Sequence, residues 1–97
     1  MEIIKKIKEF LKRKKNIREA YLFGSFARGD SSRTSDIDLI VIMDTSKPFF
    51  ERYEEFSELI LSLPCALDLL IYTPKEWEDI KDRLFFRAIM KEAKKIA

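Results

Sequence analysis

The sequence predicts a small α/β (α+β) protein, with a short mixed sheet of three to four strands and helices packed mainly on one face. Apolar residues recur at helical spacing in several stretches, and short apolar runs rich in β-branched and aromatic residues lie between these stretches. No linker or internal repeat divides the chain, so residues 1–97 are expected to form one domain. Apolar residues make up 46% of the sequence, which is enough for a hydrophobic core.

The first half of the chain is predicted to form a helix and two strands. Apolar residues interleaved with lysines predict an amphipathic helix over residues 2–15, whose basic face is expected to be solvated. The aromatic-rich run at residues 20–23, which Gly24 stops, predicts a buried strand. The stretch SDIDLIVIM, residues 35–43, predicts a second strand.

The second half is predicted to form a helix, a strand and a final helix. Apolar residues that step by four and three predict a helix over residues 48–63, which Pro64 ends. The run at residues 66–72 predicts a third strand. Thr73 is expected to cap the final helix, in a capping box that Glu76 closes.

The final helix carries more apolar residues than one stripe requires. One of its sides is marked by residues at helical spacing: Trp77, Ile80, Leu84, Ala88 and Lys91. Further apolar residues widen this surface: Phe85, Phe86, Ile89 and Met90. We expect either deeper burial of this helix or an interface with a partner.

The composition excludes several classes of function. The 19 basic and 17 acidic residues give a net charge of +2, which is too balanced to indicate a nucleic-acid or membrane surface. The chain has no histidine, which excludes Ser-His-Asp, Cys-His and His-metal chemistry. Cys65 is the only cysteine, so we expect no disulfide framework and a location in the cytoplasm. No stretch has the pattern of an export signal or the roughly 20 apolar residues of a membrane span.

Three aspartates lie within predicted strands. Asp36 and Asp38 point to the same face of one strand, about 7 Å apart. Asp68 interrupts an apolar run, where burial argues against an acid, and it can converge with the other two if the strands are neighbours. Each acid alone has an ordinary explanation, as a turn residue, an edge acid or the partner of a buried cation. Together they predict a site for Mg²⁺, or alternatively Mn²⁺, which substrate phosphates would complete, so a nucleoside triphosphate is the expected substrate.

Both glycines of the chain lie in the segment GSFARGDS, residues 24–31. This segment almost matches the phosphate loop GxxxxGK[ST], but Asp30 occupies the lysine position and would repel phosphate, so we reject a P-loop NTPase. Gly24 would still let a phosphate approach the backbone, and Ser25 offers a hydroxyl and an N–H at a helix start. Arg28 adds a positive charge, for which phosphate, solvent or Asp30 is a fair partner. The alternative is a plain glycine turn before a short helix that Ser25 caps.

These residues resemble a known family. The motifs Gly24-Ser25, Arg28-Gly29 and Ser35-Asp36-Ile37-Asp38-Leu39, with Asp68 in a later strand, resemble the nucleotidyltransferase superfamily of DNA polymerase beta. Within it, the sequence is similar to the branch of minimal nucleotidyltransferases that contains MntA-type antitoxins. The resemblance implies that Asp36 and Asp38 bind two divalent metal ions and that Asp68 completes this metal site and helps to activate the acceptor hydroxyl. It also implies that Gly24 and Ser25 hold the triphosphate of ATP or another nucleoside triphosphate.

The resemblance implies a partner as well. Small members of this branch usually pair with a HEPN-domain toxin and act as the antitoxin of a type VII toxin–antitoxin system, by transferring AMP to a tyrosine of the toxin. The same activity, in a complex with such a partner, is expected here. The alternative is a non-catalytic antitoxin that neutralises its partner by forming a complex. An antibiotic acceptor is disfavoured, because enzymes of that kind need more chain for the acceptor pocket.

Overall fold

The computed structural model describes residues 2–24 and 36–97. In chain order their elements are α1 Glu2–Lys12, β1 Ile17–Phe23, β2 Ile37–Met43, a 3-10 helix Phe49–Phe56, α2 Ser57–Ser62, β3 Leu67–Tyr72, α3 Pro74–Ile80, α4 Leu84–Glu92 and β4 Lys94–Lys95. Four strands of this part of the chain form one sheet in the order β3-β2-β1-β4. β1 is antiparallel to β2 and β4, whereas β2 and β3 are parallel, so the predicted α/β class and mixed sheet are confirmed.

The larger hydrophobic core lies on one face of the sheet, under α1, the 3-10 helix and α2. Alternate residues of β2 are fully buried in it, as expected for a strand with one face on the core: Ile37, Leu39, Val41 and Met43. Phe56 of the 3-10 helix packs against Phe10 of α1, with their ring centroids 5.4 Å apart. This contact joins the first helix of the chain to the segment that follows β2.

The opposite face of the sheet carries a smaller apolar cluster. Ile40 and Ile42 of β2 pack there with Trp77 of α3 and Phe86 of α4. The rings of Trp77 and Phe86 meet edge to face, with their centroids 5.6 Å apart. The sequence analysis predicted helices packed mainly on one face of the sheet. In the structure the larger core lies under the helices on one face, and α3 and α4 pack on the other face.

Residues 73–92 form two helices instead of the single final helix that the sequence predicts. The capping box is present, because the Thr73 hydroxyl accepts from the Glu76 N–H at 3.2 Å and the Glu76 carboxylate accepts from the Thr73 N–H at 2.9 Å. The interruption between α3 and α4 changes which side chains of α4 face the sheet. Phe86 is buried, whereas Leu84 is 84% exposed, so the expected stripe does not continue through Leu84.

β3 lies at one edge of the sheet, and the 3-10 helix covers that edge. The Tyr53 hydroxyl donates to the carbonyl of Leu69 at 2.7 Å, and Nη1 of Arg52 donates to the carbonyl of Ile71 at 3.1 Å. These carbonyls would otherwise be available to pair with another strand. The strand that carries Asp68 therefore has its outer side engaged by side chains.

None of the helices within residues 2–24 and 36–97 has the length and apolar character that crossing a membrane requires.

Candidate active site

Asp38 and Asp68 lie side by side on adjacent parallel strands. The register of β2 and β3 pairs the two residues directly. Adjacent strands are about 4.8 Å apart and paired residues point to the same face, so both carboxylates project from the face that carries the smaller cluster. The sequence analysis required the two acidic strands to be neighbours, and the structure meets that condition. Two acids at this spacing can act on one ligand.

Asp36 precedes β2 and is exposed. It lies two positions before Asp38, at the same end of the strand. Within residues 2–24 and 36–97, no three Asp, Glu, Cys or His side chains are grouped so that they could hold a metal ion. The structure therefore brings Asp38 and Asp68 together on neighbouring strands and leaves Asp36 on the segment that leads into them.

Gly24, immediately after β1, lies against the side chain of Asp38. Its φ of +71° falls in the left-handed region, which side chains other than glycine disfavour. A Cβ added at Gly24 would overlap Oδ2 of Asp38 and lie 3.2 Å from its Cγ. The glycine thus allows the backbone to approach the carboxylate closely. Of the other predicted phosphate-binding residues, Ser25 and Arg28 lie outside the described residues.

A surface cavity of about 350 Å³ adjoins Gly24. It is bounded on one side by the end of β1 and on the other by α4. Most of its side chains are apolar, and its lining within the described residues consists of Phe23, Gly24, Phe85, Ala88, Ile89 and Glu92. A larger cavity of about 500 Å³ lies between α1 and α2, on the opposite face of the sheet from the two aspartates. The cavity beside Gly24 borders the residue that contacts Asp38, so it can contribute to a site built on Asp38 and Asp68.

A half-buried ion pair, which the sequence reasoning missed, supports β3 from its C-terminal end. Arg52 is only 5% exposed, and its guanidinium contacts Glu76 as well as the carbonyls of Lys47 and Ile71. The hydrogen bond from Arg52, followed by that from the Thr73 N–H, lowers the pKa of Glu76 to about 2. The pair thereby joins the 3-10 helix, β3 and α3. No periodic signal in the sequence marks it, because the two residues are 24 positions apart.

The fold and the aspartate pair define a nucleotidyltransferase of the polymerase beta type. Residues 5–96 match the family "Polymerase beta, Nucleotidyltransferase", which is nearly the whole chain. The chain belongs to this family. Its members generally use a divalent metal ion, and the donors here fit such an ion in kind, because carboxylate oxygens are the ligands that Mg²⁺ and Mn²⁺ prefer.

A curated relative extends this assignment. The Methanocaldococcus jannaschii protein named "Putative protein adenylyltransferase MJ1379" is 35% identical over 91 residues, which cover 88% of this chain and 91% of the relative. The similarity therefore spans most of both chains.

Solved structures agree with the fold. A chain from a crystal structure of a toxin–antitoxin with AMP-PNP superposes with a TM-score of 0.72 at 23% identity, over 97% of this chain and 72% of that one. A chain from the structure of a tri-AMPylated Shewanella oneidensis HEPN toxin in complex with MNT antitoxin gives a TM-score of 0.62 at 19% identity, over 98% and 69%. At these identities the matches show a shared fold.

Proposed function

We propose that this chain transfers AMP from ATP to a tyrosine hydroxyl of a HEPN-domain toxin, and acts as the antitoxin of a type VII toxin–antitoxin pair. The observation that carries the proposal is the direct pairing of Asp38 with Asp68 beside Gly24, in a chain of the nucleotidyltransferase family. The name of the M. jannaschii relative supports a protein as the acceptor. The toxin–antitoxin structures of the same fold support a HEPN toxin as the partner.

The reaction forms one bond and breaks one bond. The acceptor oxygen bonds to the α-phosphorus, the bond from that phosphorus to the leaving pyrophosphate breaks, and the hydroxyl proton passes to a base. Asp38 and Asp68, with Asp36 at the adjoining end of β2, would hold two Mg²⁺ ions, or alternatively Mn²⁺. Bound there, the ions would supply positive charge for the attacking and leaving oxygens.

The chain's own groups have separate tasks in this scheme. Asp68 would orient the acceptor hydroxyl and accept its proton, because its strand lies beside the one that carries Asp38. Gly24 would bring the backbone close to the triphosphate, with Ser25 donating to a phosphate oxygen and Arg28 adding positive charge.

A second candidate function is a binding module that neutralises the partner without chemistry. One observation favours it: the three predicted metal-binding acids are not grouped as a metal site within residues 2–24 and 36–97. The two functions differ in whether the carboxylates of Asp38 and Asp68 are needed.

The test is transfer of label from ATP radiolabelled at the α-phosphate to the HEPN-domain partner in the presence of Mg²⁺. Asp38→Asn and Asp68→Asn should each reduce labelling by at least about 100-fold, because each removes a negatively charged oxygen donor at nearly constant size. Asp79→Asn is the matched control, since Asp79 is an exposed aspartate of α3. It should label the partner as the wild type does, and EDTA should abolish labelling by either protein.

Complex formation is measured in parallel by size-exclusion chromatography. Equal labelling by Asp38→Asn would overturn the catalytic proposal. Absence of label from every protein, with an intact complex and a neutralised toxin, would establish the binding module instead. Competition by unlabelled GTP, CTP and UTP would test the preference for ATP.

A further inference from the structure

The outward side of α4 takes no part in the proposed chemistry. Leu84 is 84% exposed and Phe85 is 63% exposed, although both are large apolar residues. Ala88 lies one turn after Leu84 and is also exposed. We call Leu84, Phe85 and Ala88 the α4 face. An apolar strip that ends on a small residue can accept the side chains of a second helix, and exposed apolar strips of this kind mark interaction sites.

Positive charge borders the α4 face. Arg87 and Lys91 are four residues apart on α4, so their side chains lie along one side of the helix, and Arg83 immediately precedes the helix. None of the three forms an ion pair with any residue in the described part of the chain, whereas Lys81 of the preceding turn pairs with Glu78 at 3.1 Å. Cations that form no ion pair within the described residues, beside an apolar strip, favour a partner with acidic side chains at matching positions.

The α4 face adjoins the candidate active site. Phe85 and Ala88 line the cavity beside Gly24, and Phe23 lines its other side. Gly24 in turn contacts the carboxylate group of Asp38. A protein that covers the α4 face can therefore present a side chain to this cavity, with the end of that side chain near Gly24 and Asp38.

We propose that the α4 face is the docking surface for the acceptor protein, which contributes an amphipathic helix with an apolar stripe bordered by Asp or Glu. The proposal rests on the proposed function for the acceptor being a protein, and goes beyond it by assigning the surface and the chemistry of the docking segment. A second copy of this chain fits the face less well, because pairing the α4 faces would bring two positively charged borders together.

Affinity for the HEPN-domain partner tests the apolar strip. Leu84→Ser should weaken the complex by about tenfold or more, as expected for truncation of a central apolar contact. Leu61→Ser is the matched control, because Leu61 of α2 is 85% exposed, nearly the same as Leu84 at 84%, and lies away from the cavity. It should bind within about twofold of the wild type. Thermal melting verifies that both variants are folded.

Charge reversal tests the basic border. Lys91→Glu and Lys12→Glu each reverse a lysine in the last turn of a helix, so the two changes have similar effects on the helices themselves. Lys91→Glu should weaken binding several-fold and reduce its dependence on salt, whereas Lys12→Glu should do neither. Equal effects of the two variants would overturn the assignment of the border.

The outcomes separate docking from catalysis. If Leu84→Ser loses binding while Asp38→Asn labels the partner as the wild type does, the docking proposal is supported and the proposed chemistry is refuted. If labelling requires Asp38 but Leu84→Ser and Lys91→Glu bind normally, the docking proposal is refuted and the proposed chemistry is supported. Docking is also overturned if the wild type fails to bind the partner, or if sedimentation shows an oligomer that Leu84→Ser converts to a monomer.

Discussion

The guanidinium of Arg52 binds the carboxylate of Glu76 through two hydrogen bonds, Nη1–Oε1 at 2.6 Å and Nη2–Oε2 at 3.0 Å. The guanidinium also donates hydrogen bonds to the carbonyls of Lys47 at 2.9 Å and Ile71 at 3.1 Å. Because these partners belong to α3, the end of β3 and the segment before the 3-10 helix, one buried cation determines how all three meet. β3 is the strand that carries Asp68, so this contact also supports the candidate site.

Glu76→Gln should lower the free energy of unfolding by about 1–3 kcal/mol, because the buried Arg52 loses its counter-charge and one of its acceptors. Glu78→Gln is the control, since Glu78 lies on the same helix and its contact with Lys81 is exposed to solvent. Its effect should be much smaller. Urea denaturation at neutral pH measures both, and equal losses of stability would contradict the role assigned to Arg52.

The same ion pair should make stability depend on pH. Arg52 and the Thr73 N–H lower the pKa of Glu76 from 4.5 to about 2. Between these values the unfolded chain takes up a proton that the folded chain does not, so the stabilisation is fully present above about pH 4.5 and is lost as the pH falls toward 2. The stability difference between wild type and Glu76→Gln, followed by urea denaturation from pH 6 to pH 2.5, should therefore shrink. A constant difference would refute this linkage.

Gly24→Ala should destabilise the protein and abolish the AMP transfer proposed above. The left-handed backbone alone costs an alanine about 1–2 kcal/mol, and the new Cβ would also overlap the carboxylate of Asp38. In an Asp38→Ala background the overlap is absent. The loss of stability caused by Gly24→Ala should therefore fall toward the contribution of the left-handed backbone alone. A double-mutant cycle by urea denaturation measures this coupling. No coupling would mean that the glycine does not serve the approach to Asp38.

Tyr53→Phe should lower the free energy of unfolding by about 0.5–1.5 kcal/mol, because the carbonyl of Leu69 loses its side-chain donor. Tyr21→Phe serves as the comparison. The Tyr21 hydroxyl donates to the carboxylate of Glu19 at 2.8 Å, and water can replace it there. Urea denaturation should show a larger loss for Tyr53→Phe than for Tyr21→Phe, and the reverse order would contradict the edge-covering role of Tyr53.

Local sequence signals predicted most of the fold, and the missed features lie where the sequence carries no such signal. The capping box at Thr73 was predictable because it involves neighbouring residues. The end of α3 was not, since residues 81–83 are Lys-Asp-Arg and contain neither glycine nor proline. β4 has no apolar alternation, and this edge of the sheet depends on Ala20, whose N–H donates to the carbonyl of Ala97 at 3.0 Å.

The acidic residues of the candidate site could be picked out from the sequence where they lie within apolar strands. Asp38 and Asp68 interrupt apolar strands, so each stood out before the strands were known to be neighbours. Arg52 did not stand out in the sequence, because a cation in an amphipathic stretch ordinarily faces solvent. Its partner Glu76 is also remote in sequence. The roles assigned to the six site residues stay predictions: Gly24, Ser25, Arg28, Asp36, Asp38 and Asp68.

The pairing of Asp38 with Asp68 depends on how β3 packs in the hydrophobic core. Leu69 is 5% exposed and Ile71 is fully buried, and these two side chains determine which face of β3 carries Asp68. A slip of β3 by one residue along β2 would expose both and turn Asp68 into the larger core. The penalty for misalignment therefore falls on the apolar side chains of Leu69 and Ile71, and their burial keeps Asp38 and Asp68 in register.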